Sequence, residues 1–116
     1  MIFDYKSSAK NGINMYHLSG ELIDRNQALQ MLAEIDNVIA KGENKILLSL
    51  ENLKYINSSG LNIFINILTK TRKSGGDVAI CCVNKKITEL LVITKLNSVF
   101  NVCESTEKAI EVLTEK

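Results

Sequence analysis

The stretch Asn52-Leu53-Lys54-Tyr55-Ile56-Asn57-Ser58-Ser59-Gly60-Leu61 decides how this chain is read, because an apolar, strand-like run ends there in two serines and a glycine just before a helical pattern. Upstream, Lys45 to Leu50 has the short apolar character of a buried strand, and Asn52 to Ile56 leads from it to the serines. Downstream, from Ser59 to about Lys73, Leu61, Phe64 and Leu68 centre one helix face while Asn62, Asn66, Thr69, Lys70 and Lys73 collect on the other. The first N–H groups of a helix lack intrahelical partners and carry partial positive charge. Ser58 or Ser59 can therefore cap this helix, and a phosphate there would be favourably placed. Ile63, Ile65 and Ile67 widen the apolar arc to roughly 200° at about 100° per residue. Either a flank of the helix meets a partner, or sheet and neighbouring helix bury it from two sides.

Working outward, residues 2–7 and 13–19 are expected strands separated by Asn11-Gly12, a dipeptide suited to the positive backbone angles of a tight hairpin. From Asn26 to Lys41 the apolar residues Ala28, Met31, Leu32, Ile35, Val38 and Ile39 recur at helical spacing. Asp24 is available as N-cap, Gln27 completes a capping box, and Gly42 follows the end. After Gly75-Gly76, Asp77 to Val83 reads as another buried strand, and Asn84 can cap a helix carrying Ile87, Leu90 and Leu91 inward. A short strand near Val99 to Val102 precedes a last helix, capped by Ser105 or Thr106 and carrying Ala109, Ile110 and Leu113. Strands alternating with helices predict an α/β fold: a mixed, mostly parallel sheet with right-handed crossovers, an antiparallel edge from the N-terminal hairpin, and about four helices.

At 116 residues and 46% hydrophobic, the chain suits one domain with a real core spanning 1–116. Fourteen basic against thirteen acidic residues give a formal charge of +1, which argues against nucleic acid or an anionic membrane as a general partner. The densest basic positions, Lys70, Arg72, Lys73, Lys85 and Lys86, are expected at solvated helix ends. There is no signal-peptide pattern and no apolar run approaching the roughly 20 residues that span a bilayer, so a cytoplasmic location without membrane insertion is expected. Cys81 and Cys82 suit neither metal-ligand spacing nor a Cys-x-x-Cys redox motif, Cys103 stands alone, and all three are expected as buried reduced thiols. With His17 the only histidine, zinc chemistry has little support.

Catalysis fares no better. A nucleophilic Ser58 or Ser59 needs a base, yet His17 lies on another expected strand, and no Gly-x-Ser-x-Gly elbow is present. Lys73-Ser74-Gly75-Gly76 lacks the order of a phosphate-binding loop and follows a helix. Ser49, Glu51 and Asn57 do not form the acidic cluster of a receiver-type phosphoacceptor site. A non-enzyme without cofactor or metal is the expectation.

The order of elements, Ile56-Asn57-Ser58-Ser59-Gly60-Leu61, Gly20-Glu21-Leu22 at the end of the second strand, and the apolar Ile46-Leu47-Leu48-Ser49-Leu50 run are together similar to the STAS domain family. The resemblance covers nearly the whole chain and is specifically to stand-alone bacterial anti-sigma factor antagonists. In such proteins the first hydroxyl residue of an Asp-Ser-Ser/Thr-Gly motif is phosphorylated by the cognate anti-sigma factor, itself a serine kinase, and a separate serine phosphatase reverses it. The unphosphorylated form binds the anti-sigma factor and frees the sigma factor. The resemblance implies Ser58 as phosphoacceptor, with Ser59 left as cap and Gly60 as a point of close approach by a partner backbone. Asn57, Ser58, Ser59, Gly60, Leu61 and Asn62 are the expected partner-binding residues. Two positions depart from the family pattern: Asn57 replaces the usual aspartate, and Ile23 follows Gly20-Glu21-Leu22, with Asp24 one place later and read as a helix cap. The alternative is an unphosphorylated STAS subunit that scaffolds a transporter or stress-signalling complex.

Overall fold

The computed structural model describes residues 2–115. A hairpin of β1 (Asp4–Lys10) and β2 (Ile13–Leu22) leads through a 3-10 turn (Arg25–Ala28) into α1 (Leu29–Ala40). Then follow β3 (Lys45–Ile56), α2 (Ser58–Lys73), β4 (Asp77–Cys81), α3 (Lys85–Ile93), a second 3-10 turn (Leu96–Ser98), β5 (Asn101–Cys103) and α4 (Thr106–Thr114). The five strands lie in the order β1-β2-β3-β4-β5. Only β1 and β2 pair antiparallel; every other neighbour is parallel. Asn11 (φ 54°) and Gly12 (φ 79°) make the hairpin turn in the left-handed region their types favour.

Alternation along the strands divides the core. Ile46, Leu48 and Leu50 of β3 and Val78 and Ile80 of β4 join buried residues of α1, α2 and α3 on one face. Leu47, Ala79 and Cys81 point the other way, into a smaller cluster closed by Ala109 and Leu113 of α4. Side chains two apart share a face, so one strand supplies both layers. Ile63 (1% exposed), Phe64 and Ile67 (0%) are all buried, and α2 packs on β3 and β4 with α1 and the first 3-10 turn beside it. The wide apolar arc of α2 is thus consumed mostly internally: Ile63 and Ile67 are buried, and Ile65 packs against the core while staying half-buried.

Several boundaries differ from expectation. The first helix begins as the 3-10 turn Arg25–Ala28, because the Asp24–Gln27 capping box winds the entry tightly: the Asn26 N–H donates to Asp24 Oδ1 at 3.1 Å, and Gln27 Oε1 accepts from Ile23 and Asp24 N–H at 2.9 and 3.1 Å. The two apolar segments between Lys45 and Ile56 are one strand, kept in register with β2 by irregularities between His17 and Ser19 and between Gly20 and Glu21. β4 stops at Cys81 rather than Val83, because Cys82 turns to φ 65°. The last strand is Asn101–Cys103, with Val99 still in the turn before it.

Candidate functional site

The parallel strands β2 and β3 end side by side, Leu22 opposite Ile56, and the chain then turns directly into α2. Asn57 is the N-cap of α2: its backbone is extended (φ −110°, ψ −168°) and its Oδ1 accepts the Gly60 N–H at 3.1 Å. Its Nδ2 donates to the Ile23 carbonyl at 3.1 Å, tying the start of α2 to the chain leaving β2. The cap expected of Ser59 therefore belongs to Asn57, whose oxygen lies three residues before the amide it must reach. Ser58 and Ser59 are both exposed in the first turn. Neither hydroxyl is bonded to another group among the described residues.

Gly60 and Leu61 belong to the interior instead of a partner surface. A Cβ on Gly60 would lie 2.4 Å from the Leu22 carbonyl oxygen and 3.1 Å from Ile56 Cβ, so the backbone that comes close at this glycine is the protein's own β2. Leu61 is 6% exposed and part of the main core. Of the residues expected to face a partner, Ser58, Ser59 and Asn62 are exposed and Asn57 is half-buried.

Two hollows flank the serines. On one side a cavity of about 390 Å³ is walled by Tyr55, Ser58, Ile87, Leu90 and Ile93, with Lys86 and Glu89 at its edge. Its apolar wall is open to solvent: Tyr55 is 45% and Ile93 77% exposed. On the other side Arg25, Ser59, Asn62 and Asn66 border a shallower depression. Sequence reasoning missed Tyr55, Lys86, Ile93 and Arg25. The signal for the α3 wall was the spacing of Lys86, Leu90 and Ile93, a second stripe beside the buried Ile87 and Leu91.

The five basic positions are exposed at helix ends, as expected, and two of them also form ion pairs. Lys70 pairs with Asp36 at 3.1 Å, and Arg72 with Asp77 at 3.2 Å while also donating to the Val99 carbonyl at 2.8 Å. Lys85 and Lys86 are the first two residues of α3. His17 sits within β2, opposite Lys6 and Ser49 in register, with its ring 3.4 Å from Ser8 Oγ; the fold does not pair it with Ser58 or Ser59. Among the described residues no group of three or more His, Cys, Asp or Glu is arranged to hold a metal, and no helix is long and apolar enough to cross a membrane.

A family model described as STAS domain matches residues 6–109. The chain belongs to the STAS domain family. It is 30% identical over 105 residues to the anti-sigma F factor antagonist of Paenibacillus polymyxa, covering 90% of this chain and 86% of that one. The crystal structure of tm1081 from Thermotoga maritima superposes with a TM-score of 0.86 at 26% identity, across 95% of this chain and 94% of that one. Bacillus SpoIIAA in its phosphorylated form shares the fold, with a TM-score of 0.74 at 18% identity over 93% of this chain and 97% of that one. The mixed, mostly parallel STAS sheet with N-terminal hairpin and four helices, expected from the sequence, is the fold observed.

Proposed function

We propose that this STAS domain is an anti-sigma factor antagonist: it binds a cognate anti-sigma factor to release a sigma factor, and phosphorylation of Ser58 by that factor's serine kinase activity switches it off. The observation that carries the reading is the exposed, unbonded Ser58 hydroxyl at the first position of α2, on the rim of the cavity walled by Tyr55, Leu90 and Ile93. The name of the Paenibacillus polymyxa relative supports it.

A phosphate on Ser58 adds about −1.5 to −2 charge at neutral pH. The Ser58 and Ser59 amides at the helix start favour that charge within the protein, since Asn57 already serves Gly60. Against a partner the sign reverses: a like charge brought to about 4 Å costs about 4 kcal/mol at an effective dielectric near 20, before salt screening. That corresponds to about a thousandfold in affinity. The switch therefore needs no change of fold. A serine phosphatase would restore the binding form, and the antagonist itself catalyses no step.

The test is incubation with the kinase-type anti-sigma factors of the same genome and ATP, followed by phosphate mapping by mass spectrometry. Phosphate is expected on the wild type and on Ser59→Ala but not on Ser58→Ala. Absence of phosphate with every such factor overturns the switch.

A further inference from the structure

Cys81 ends β4 and Cys82 begins the turn into α3, and consecutive residues of an extended strand ordinarily point to opposite faces. The left-handed Cys82 backbone (φ 65°) cancels that alternation. Its Sγ returns to 3.2 Å from Cys81 Sγ, and both sulfurs approach Thr106 Oγ1, at 3.6 Å from Cys81 and 3.9 Å from Cys82. Cys81 is buried and Cys82 half-buried. Cys103 pairs with Cys81 in the strand register, but its thiol faces the Asn101 carbonyl at 3.9 Å.

We propose that Cys81 and Cys82 form an oxidative modification site, a vicinal dithiol that a low-molecular-weight disulfide converts to a Cys81–Cys82 disulfide. The accessible Cys82 thiolate attacks one sulfur of the reagent disulfide RSSR, forming a Cys82–SR mixed disulfide and expelling one thiolate RS⁻. Cys81, having lost its proton to solvent, then attacks Cys82 Sγ and expels the second RS⁻. Two protein thiols are oxidised and one reagent disulfide is reduced to two thiols. The order follows from access, and burial supports it: the Cys81 thiol is pushed up to about 11, the neighbouring Cys82 adding to the effect, so Cys81 is the poorer first nucleophile. Consecutive Cα atoms lie about 3.8 Å apart, inside the about 4.4 Å lower bound of ordinary disulfides. A bond under that constraint is readily reduced again, which suits regulation rather than bracing.

Closing the bond bears on the segment two residues ahead. The Asn84 side chain caps α3 by accepting the Ile87 N–H at 2.8 Å and docks it on β3 by donating to the Leu53 and Lys54 carbonyls at 3.1 and 3.4 Å. α3 supplies Lys86, Ile87, Leu90 and Ile93 to the cavity beside Ser58. Drawing Cys82 toward Cys81 shifts Val83 and Asn84 and so loosens this wall. The effect on partner binding rests on the function proposed above; the disulfide itself does not.

The experiment treats the native chain with oxidised glutathione, with tryptic mapping and amide hydrogen exchange as readouts. Trypsin places Cys81 and Cys82 together in the peptide 74–85 and Cys103 in 96–108. The expected result is loss of two of the three free thiols, with the 74–85 peptide lighter by two hydrogens, and neither change in Cys82→Ser. Faster exchange of the Ile87 amide in the oxidised form, with α1 unchanged, is expected from the loosened cap. A product joining 74–85 to 96–108, a lasting mixed disulfide on Cys82, or no reaction in the folded protein overturns the site. Unchanged exchange at Ile87 overturns its coupling to α3. None of these readouts involves an anti-sigma factor, so failure of the partner-switching reading leaves them intact.

Discussion

The Asn57 side chain donates to the Ile23 carbonyl oxygen at 3.1 Å while its own oxygen accepts the Gly60 N–H at the same distance. The two partners fix the amide's orientation, because a backbone N–H needs the oxygen and a carbonyl needs the NH2. Asparagine at this position thus joins three chain segments: the exit from β2, the end of β3 and the first turn of α2.

Asn57→Ala removes both bonds and is expected to lower stability by about 1–2 kcal/mol, the usual range for a lost N-cap. Asn57→Asp keeps an acceptor for Gly60 and gains from the helix dipole, but it loses the donor and sets a carboxylate against the Ile23 carbonyl. Its loss should be the smaller of the two. Urea unfolding of the three proteins measures the order, and an aspartate variant less stable than the alanine variant would refute this account of the cap.

Gly60→Ala would normally favour a helix by about 1 kcal/mol. Here the new methyl meets the Leu22 carbonyl oxygen at 2.4 Å, which is backbone and cannot rotate away. Overpacking of this kind costs about 1–3 kcal/mol, so a lower thermal midpoint is expected despite the better helix former. A raised midpoint would show that the end of β2 yields easily.

Ser58→Asp should weaken anti-sigma factor binding and Ser58→Ala preserve it, measured by calorimetric titration. Because an aspartate carries less charge than a phosphate, its effect should fall below the thousandfold estimated for the modified serine. Equal affinities for the two variants would argue against an electrostatic switch.

Ile93→Ser should reduce partner affinity about tenfold or more while leaving the unfolding midpoint nearly unchanged. Ile93 is 77% exposed, so its removal costs the fold little, whereas a partner seated in the cavity would bury it. Unaltered affinity would place the contact on the Arg25 and Asn62 side of Ser58.

Stability should fall as pH rises above about 9. Burial holds the Cys81 thiol up to about 11 against an ordinary value of 9.0, so the unfolded chain releases this proton first and gains in stability through that window. The contribution is complete below pH 9 and lost as pH approaches 11. Tyr16, also raised chiefly by burial, acts in the same direction. Cys81→Ala should flatten the alkaline limb of a stability-versus-pH curve; an unchanged slope would assign that limb to Tyr16 and other groups.

Local patterns in the sequence were enough for the elements and their order. The Asn11-Gly12 turn, the Asp24–Gln27 capping box, the Asn84 and Ser105 caps and the continuous apolar Ile46 to Leu50 run act within a few residues, so each is legible where it stands. Ser58 could be singled out in the same way, from its place between a strand and a helix. Tertiary structure alone decided what surrounds it. Gly60 became an internal contact because β2 passes over it, and Lys86 and Ile93 became neighbours of Ser58 because parallel pairing of β3 with β4 brings α3 alongside. Cys82 turned onto Cys81 through one left-handed backbone angle. Caps, turns and short apolar runs are short-range and written into neighbouring residues, whereas the shape of a surface depends on which distant segments the sheet sets side by side.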